Sequence, residues 1–501
     1  MNPLYSSAEI RAIEHAAAAA LPDGVLMQRA GQAGANAALD LLPFSTSKAK
    51  VLILAGPGNN GGDALETAAH LAYAGAQVTI LHFPPQSAPS DERAAAMRRA
   101  QTSDARFADL DLAMVAGTEW TLVVDGLFGI GLQRPLAGAL RDLAEAVNTL
   151  KCSVLALDLP SGLDADTGAI VGPDGVAIHA THTITFIGNK PGLHTCDGRD
   201  YAGLVDVSRL DIDASHFAPA RLHLNDVKFF SRHLRARRHN THKGSYGSVA
   251  VIGGARGMGG APLLAARTAL NSGAGRVYAL FVEDPLPCDS GQPELMCRLA
   301  DDFDLGAATL VIGPGLGASS HAAELLERAI ASGSALLADA DALNLLAANP
   351  ALQTALARRP ASSILTPHPL EAARLLGSTI ADVQADRIGA ARKLAASLNA
   401  HVVVKGSGTV IAAPNGDAVI NTTGNPALAT AGTGDVLSGL CGGLLAQGWP
   451  LWEAALAGVW LHGMAADVLV TEGTGPIGLT AGELIPAIRV ALNRMVQHHG
   501  R

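Results

Sequence analysis

A chain of 501 residues exceeds the size at which one hydrophobic core keeps growing, so two or more domains are expected. Its 49% hydrophobic content, 55 glycines and only 4% aromatic residues exclude a disordered chain and suit an α/β enzyme of Ala-rich helices and glycine-rich loops. The formal net charge of -9 gives no electrostatic case for nucleic acid or an anionic membrane as partner, so any phosphate must be bound locally.

Near the N-terminus, Ser6 and Glu9 form a capping-box pattern ahead of the Ala-rich run 16–20. That run holds too few strongly apolar residues for export or membrane spanning, and a surface helix is expected there. Strand-like runs follow at Val51–Ala55, Gln77–Phe83, Thr121–Asp125 and Val154–Leu159, alternating with helical stretches, a rhythm that predicts a parallel sheet covered by helices. Residues 211–238 have mixed polarity and a basic cluster, Arg232, Arg235, Arg237 and Arg238, read as a solvated connector or as a phosphate contact. The boundary is placed near residue 220, giving domains 1–220 and 221–501. The rhythm restarts with Ser248–Ile252, Val277–Val282, Thr309–Ile312, Ala335–Ala338, Ser362–Leu365 and His401–Lys405, a second α/β domain. The five cysteines are far apart and include no Cys-x-x-Cys pair, which argues against a disulfide framework or zinc site and for a reducing cytoplasm.

In the first half, the strand Val51–Ala55 runs into Gly56-Pro57-Gly58-Asn59-Asn60-Gly61-Gly62-Asp63, where missing side chains let a ligand approach backbone N–H groups at a helix start. Gly56, Gly58 and Gly61 also satisfy the dinucleotide fingerprint. That fingerprint requires an acidic residue about 20 positions on, and His82-Phe83-Pro84 supplies none. Asp125 and Asp158 end two further strands, and ligands of open α/β sheets bind at that carboxyl edge. Each is read as a helix cap or as part of one oxygen-rich pocket beside the Asn-rich loop.

The order Met27-Gln28-Arg29-Ala30-Gly31, GPGNNGGD, VDGLFGIGL and DLPSGLD resembles NAD(P)H-hydrate epimerase over nearly all of residues 1–210. The resemblance implies a Rossmann-like three-layer α/β/α domain. It also implies that Asn59, Asn60, Gly61, Gly62 and Asp63, the segment Gly129, Ile130, Gly131, Leu132, Gln133, Arg134 and Pro135, and Asp158 contact hydrated NAD(P)H. Asp125 is implied to act in catalysis, and Asn60, Asp125 and Ser161 to hold a potassium ion. Ala64 stands where the family usually has a further glycine.

The second half carries Asn421-Thr422-Thr423-Gly424-Asn425-Pro426 and then Gly432-Thr433-Gly434-Asp435 at a helix start. Amides of Gly432–Gly434 suit the charge on a transferring phosphoryl group, and Asp435 suits removal of a proton from the attacking hydroxyl. The plainer reading is a helix cap. Around it stand Gly313-Pro314-Gly315-Leu316-Gly317, Asp339-Ala340-Asp341, Thr366-Pro367-His368-Pro369-Leu370-Glu371 and Lys405-Gly406-Ser407-Gly408-Thr409. Gly313, Gly315 and Ala318, with Asp339 farther on, also meet the looser dinucleotide fingerprint, which leaves Asp435 unexplained. His368, between two prolines, is expected to face the cleft. Lys405–Thr409 reads as a hairpin turn or as a phosphate loop.

From His242-Lys243-Gly244 to Thr480-Ala481 the set is similar to ADP-dependent NAD(P)H-hydrate dehydratase, a ribokinase-like α/β/α family. The resemblance places the hydrated cofactor near Ala261, Gly317, His368 and Asp435. It places the adenine nucleotide on Lys405, Gly406, Ser407, Gly408, Thr409 and Gly434, with magnesium. The implied chain is a cytoplasmic isomerase and lyase acting on hydrated NADH and NADPH with ADP, expected as a homo-oligomer. Two rivals stand beside it: an ordinary ribokinase-like kinase using ATP, and an N-terminal half that only binds or senses ligand.

Overall fold

The computed structural model describes residues 2–85, 88–361 and 363–500. The chain divides into two compact units, Pro3–Leu222 and His223–Arg501, the second of which also takes in Asn2.

The N-terminal unit opens with the helix Ser7–Ala18, whose capping box joins Ser6 and Glu9 reciprocally. Its seven-stranded sheet runs in the spatial order Arg106–Ala108, Gln77–His82, Lys50–Ala55, Leu122–Gly126, Ser153–Leu157, His182–Phe186 and Leu204–Ser208. All neighbours are parallel. Both faces are covered, so the strand Lys50–Ala55 is apolar from Val51 onward: Val51, Ile53 and Ala55 enter one core cluster, and Leu52 and Leu54 the other. The register sets Ala55 opposite Gly126 and His82, which aligns the carboxyl ends of three strands at one edge.

Helix Val25–Asp40 crosses helix Asn59–Tyr73 at close range. A Cβ on Gly31 would stand 2.0 Å from Glu66 Cβ, and one on Gly34 2.6 Å from Thr67 Oγ1. The glycine of the Met27–Gly31 motif is therefore a packing requirement that seats the helix behind the Asn-rich loop.

In the C-terminal unit a sheet of eleven strands has Ser248–Gly253 third from one edge, flanked by Arg276–Phe281 and Thr309–Ile312. Parallel pairing continues through Leu336–Ala338, Ser363–Leu365 and His401–Val404. Ser362, expected to begin one of these strands, lies outside the described residues. The direction then reverses: His401–Val404, Thr409–Ala412 and Ala418–Asn421 are antiparallel neighbours. Lys405–Gly408 thus forms a turn at the same edge as the other strand ends.

Helix Thr433–Ala446 is almost wholly buried, and Leu451–Thr471 packs against it within the same core. By length and composition alone the latter could cross a membrane; here it is a core helix, with 61% of its most apolar window buried.

Candidate active sites

In the N-terminal unit a cavity of about 720 Å³ opens where the strands end. Asn59, Asn60, Asp63, Gly129, Ile130, Gly131, Leu132 and Asp158 line it, as do Arg11 and Glu14 of the first helix. The strand end, the Asn-rich loop and the segment after Asp125 are brought together as the motifs implied. Gln133, Arg134 and Pro135 are exposed and do not line it. Gly61 and Gly62 lie beneath it: a Cβ on Gly61 would meet Gly56 O at 1.9 Å, and one on Gly62 would meet Met27 at 2.6 Å. Ala64 is fully buried with its methyl group over Gly126, where a second Cβ would come within 2.4 Å. The departure from the family pattern is therefore accommodated inside the core, away from the cavity.

Asp125 is fully buried and does not line the cavity. Its Oδ1 accepts from Ser161 Oγ at 2.6 Å and Leu127 N at 3.2 Å, and its Oδ2 accepts from Ser161 N at 2.8 Å. Burial pushes its carboxyl up to about 6 against these hydrogen bonds. Nearby, Asn60 Nδ2 donates to Leu157 O at 3.0 Å, while Asn60 Oδ1 is buried with no partner. A buried carbonyl oxygen left unpaired beside a hydroxyl and a carboxylate has the chemistry of a hard-cation site.

Three residues outside the quoted motifs shape this site. Arg93, nearly fully buried, donates to Gly56 O at 2.8 Å and meets His82 Nε2 at 3.1 Å, bracing the glycine loop from behind. Lys190, fully buried, pairs with Asp158 Oδ1 at 2.6 Å. Glu14 faces the cavity, and both Glu14 and Asp63 are pushed above the usual carboxylate range, chiefly by burial and next by Asp158.

In the C-terminal unit the helix Thr433–Ala446 begins at Gly432, which is left-handed at φ 88 and offers no side-chain cap. Thr433 N donates to Thr430 O at 3.4 Å, and the Gly434 and Asp435 amides that follow have no side-chain cap from Gly432. Lys405 Nζ pairs with Asp339 Oδ1 at 2.9 Å, and Ser438 Oγ donates to Asp339 Oδ2 at 2.6 Å. A Cβ on Gly434 would stand 3.3 Å from Lys405 Nζ, so Asp435, Gly434, Lys405 and Asp339 form one cluster. Burial, then Asp339, pushes Asp435 up to about 7. Burial opposes the Lys405 charge, but Asp339 and Glu371 hold it above its ordinary value.

His368 caps the helix Pro369–Leu376: Nδ1 accepts from Leu370 N at 3.1 Å, and Nε2 lies 3.2 Å from Glu371 Oε1. It is exposed. Glu371 is buried and pushed up to about 7, by burial first. Gly317 N donates to Asp341 Oδ2 at 2.8 Å, and the left-handed Gly315 lies against Met258 and Ala261, so those loops adjoin. The turn after Lys405 is tied by Gly406 N to Thr409 Oγ1 at 3.3 Å and by buried Arg387, which donates to Ser407 O. Arg387 lies 18 residues before the turn and carries no motif that announces it. The basic connector is structural in part: Arg232 pairs with Glu453, and Arg237 stacks on Tyr246 at 3.7 Å.

Two family models match the chain, one described as YjeF-related protein N-terminus over residues 23–192 and one as NAD(P)H-hydrate dehydratase over residues 249–489. The bifunctional NAD(P)H-hydrate repair enzyme of Coxiella burnetii is 39% identical, covering 98% of this chain and 100% of that protein. The corresponding Escherichia coli enzyme is 36% identical over 93% of this chain and 89% of its own length. The ADP-dependent (S)-NAD(P)H-hydrate dehydratase of Neisseria meningitidis is 46% identical over 54% of this chain and 92% of that protein. Among solved structures, the Bacillus subtilis ADP/ATP-dependent NAD(P)H-hydrate dehydratase crystallised with ATP and Mg2+ is 30% identical, covering 53% of this chain and 97% of that one, with a TM-score of 0.46. Both halves are matched in order, in single relatives spanning nearly the full length, and the chain belongs to the family of bifunctional NAD(P)H-hydrate repair enzymes.

Proposed function

We propose that the N-terminal unit interconverts the R and S forms of hydrated NADH and NADPH. The C-terminal unit then dehydrates the S form at the expense of ADP, giving AMP and phosphate. The observation that carries this reading is the Asp435, Lys405 and Asp339 cluster at an uncapped helix start, which offers a base beside a phosphate cradle.

Hydrated NAD(P)H bears a hydroxyl on the carbon next to the ring nitrogen, and hydroxide leaves poorly. Asp435 takes the hydroxyl proton as that oxygen attacks the terminal phosphorus of ADP. The Gly432–Gly434 amides hold the transferring group, and Lys405, fixed by Asp339, balances its charge. AMP departs as the new P–O bond forms, the ring nitrogen lone pair then expels phosphate to give an iminium, and loss of a proton from the adjacent ring CH2 to solvent completes the dihydropyridine. His368 and Gly317 bound the cofactor side, and the turn Lys405–Thr409 holds the nucleotide.

Magnesium fits as an ion that arrives with the nucleotide phosphates. No group of three or more metal-ligating side chains stands ready among the described residues, whereas Glu371 is a buried carboxylate near Lys405 and Asp339. Glu371 would hold it, leaving Asp435 free as the base, and it would supply charge neutralisation. Potassium fits the N-terminal unit, with Asn60, Asp125 and Ser161 as its holders and the orphaned Asn60 Oδ1 as the supporting observation.

The test is hydrated NADH plus ADP with the full chain, following recovery of dihydronicotinamide absorbance and formation of AMP. Restoration of NADH with one AMP per turnover is expected. A phosphorylated organic product made from ATP would replace this reading with an ordinary kinase.

A further inference from the structure

In the epimerase cavity Asp158 is a carboxylate with one oxygen held by several hydrogen bonds and the other open. Its backbone is left-handed, φ 66, a conformation that non-glycine residues rarely adopt and that tends to mark functional positions. Its Oδ1 takes three partners: Lys190 Nζ at 2.6 Å, Phe186 N at 3.3 Å and Thr185 Oγ1 at 3.4 Å. Lys190 has no solvent exposure, and its amine also donates to Thr185 Oγ1 at 2.7 Å and to the carbonyls of Phe186 and Gly188 at 2.9 and 3.2 Å. A buried ammonium with every donor engaged is an expensive way to hold one oxygen. The other oxygen, Oδ2, accepts no hydrogen bond among the described residues. It lies under Gly129, where an added Cβ would stand 3.0 Å away, so the absent side chain is what opens Oδ2 to the cavity.

Resting on the epimerase reading, we propose that Asp158 is the catalytic proton-transfer group of the N-terminal unit, with Lys190 as its positioning residue. Asp158 Oδ2 takes the proton of the substrate hydroxyl. The oxygen lone pair forms a C=O bond as the adjacent C–N bond breaks, and the electron pair goes to the ring nitrogen, where conjugation with the carboxamide spreads it. The opened carbon turns its other face to the nitrogen, the C–N bond re-forms, and the proton returns from Asp158 to oxygen. Every atom and electron is recovered, and no oxidant or co-reactant is consumed. Asp125, sealed beneath the cavity by Ser161, has no oxygen free for this step. Arg11, Glu14, Asp23, Asp63 and Glu92 are the other charged groups on the cavity wall.

The experiment is the rate of R-to-S conversion of hydrated NADH by the full chain without ADP, with equilibrium binding of the hydrate measured alongside. For D158N a kcat loss of about 10²–10⁴ is expected, the range for removing a general acid or base, with binding within about threefold of wild type. K190M is expected to lose kcat with little change in KM and to move the acidic limb of its pH profile upward, which a merely structural lesion does not do. G129A, which places a methyl group against Oδ2, is expected to lose conversion while the C-terminal dehydration of the S form is untouched. If the wild-type chain fails to exceed the spontaneous rate, the epimerase reading falls and this inference with it. If the wild type converts and D158N keeps its kcat, or loses only binding, the role of Asp158 alone is overturned.

Discussion

Replacing Asp435 by Asn separates what this carboxylate does for catalysis from what it costs the fold. Removing a general base typically lowers turnover about 10²–10⁴-fold, equivalent to roughly 3–5 kcal/mol of barrier. The amide keeps the shape and leaves the Gly432–Gly434 amides open, so ADP is expected to bind within a fewfold of wild type. Stability should move the other way. The folded chain holds the Asp435 proton up to about 7, against an ordinary 3.8, so between those values the native state binds more protons than the unfolded one. Stability therefore falls as pH rises from about 4 to 7. At 1.36 kcal/mol per pKa unit the fully buried limit is about 4 kcal/mol, which solvent access to this partly exposed side chain reduces to roughly 1–2 kcal/mol. D435N removes that loss, so at pH 8 it should unfold at higher denaturant than wild type, and the two curves should converge near pH 4. The assays are NADH recovery with ADP, calorimetric titration of ADP, and urea unfolding at both pH values. Retained turnover refutes the base, and a D435N chain less stable than wild type at pH 8 refutes the account of the buried charge.

The same ionisation makes wild-type dehydration rise as pH increases through about 7, because the base is protonated below it; a pH–kcat/KM profile flat from 6 to 8 contradicts this. Ala64→Gly should leave epimerisation within twofold, because its methyl group packs on Gly126 and not in the cavity, while the helix interior loses about 1 kcal/mol; thermal unfolding and the epimerase rate together decide. Asn60→Leu removes the orphaned oxygen and should abolish any dependence of epimerisation on potassium, measured by exchanging potassium for a bulky organic cation. Arg387→Ala releases the Ser407 carbonyl and should raise KM for ADP about tenfold with little change in kcat, tested by steady-state kinetics.

Much of this arrangement is legible in the chain. The strand ends Asp125, Asp158 and Asp339, and the turn after Val404, stand at sheet edges because apolar runs stop there and polar or glycine residues begin. What the sequence hides is reach across distance. Lys190 sits in an unremarkable Gly-Asn-Lys-Pro run, and only the fold carries its amine back to Asp158; Arg93 meets the glycine loop from 37 residues away. Proximity in sequence also misleads. Gln133–Pro135 continue the segment that lines the cavity yet lie exposed outside it, and Asp125 ends a strand at the right edge yet turns both oxygens toward Ser161. The Ala64 departure could be weighed only with Gly126 in view, since the two share one packing volume.

The uncapped start of Thr433–Ala446 bears on when that helix is complete. Its opening amides have no side-chain acceptor from the cap residue, so on the proposed reading an incoming phosphate would serve as the missing cap and nucleotide binding would finish the secondary structure of the site. Occupancy should then be readable without any turnover, as slowed hydrogen exchange confined to the first turn after Gly432 when ADP is present.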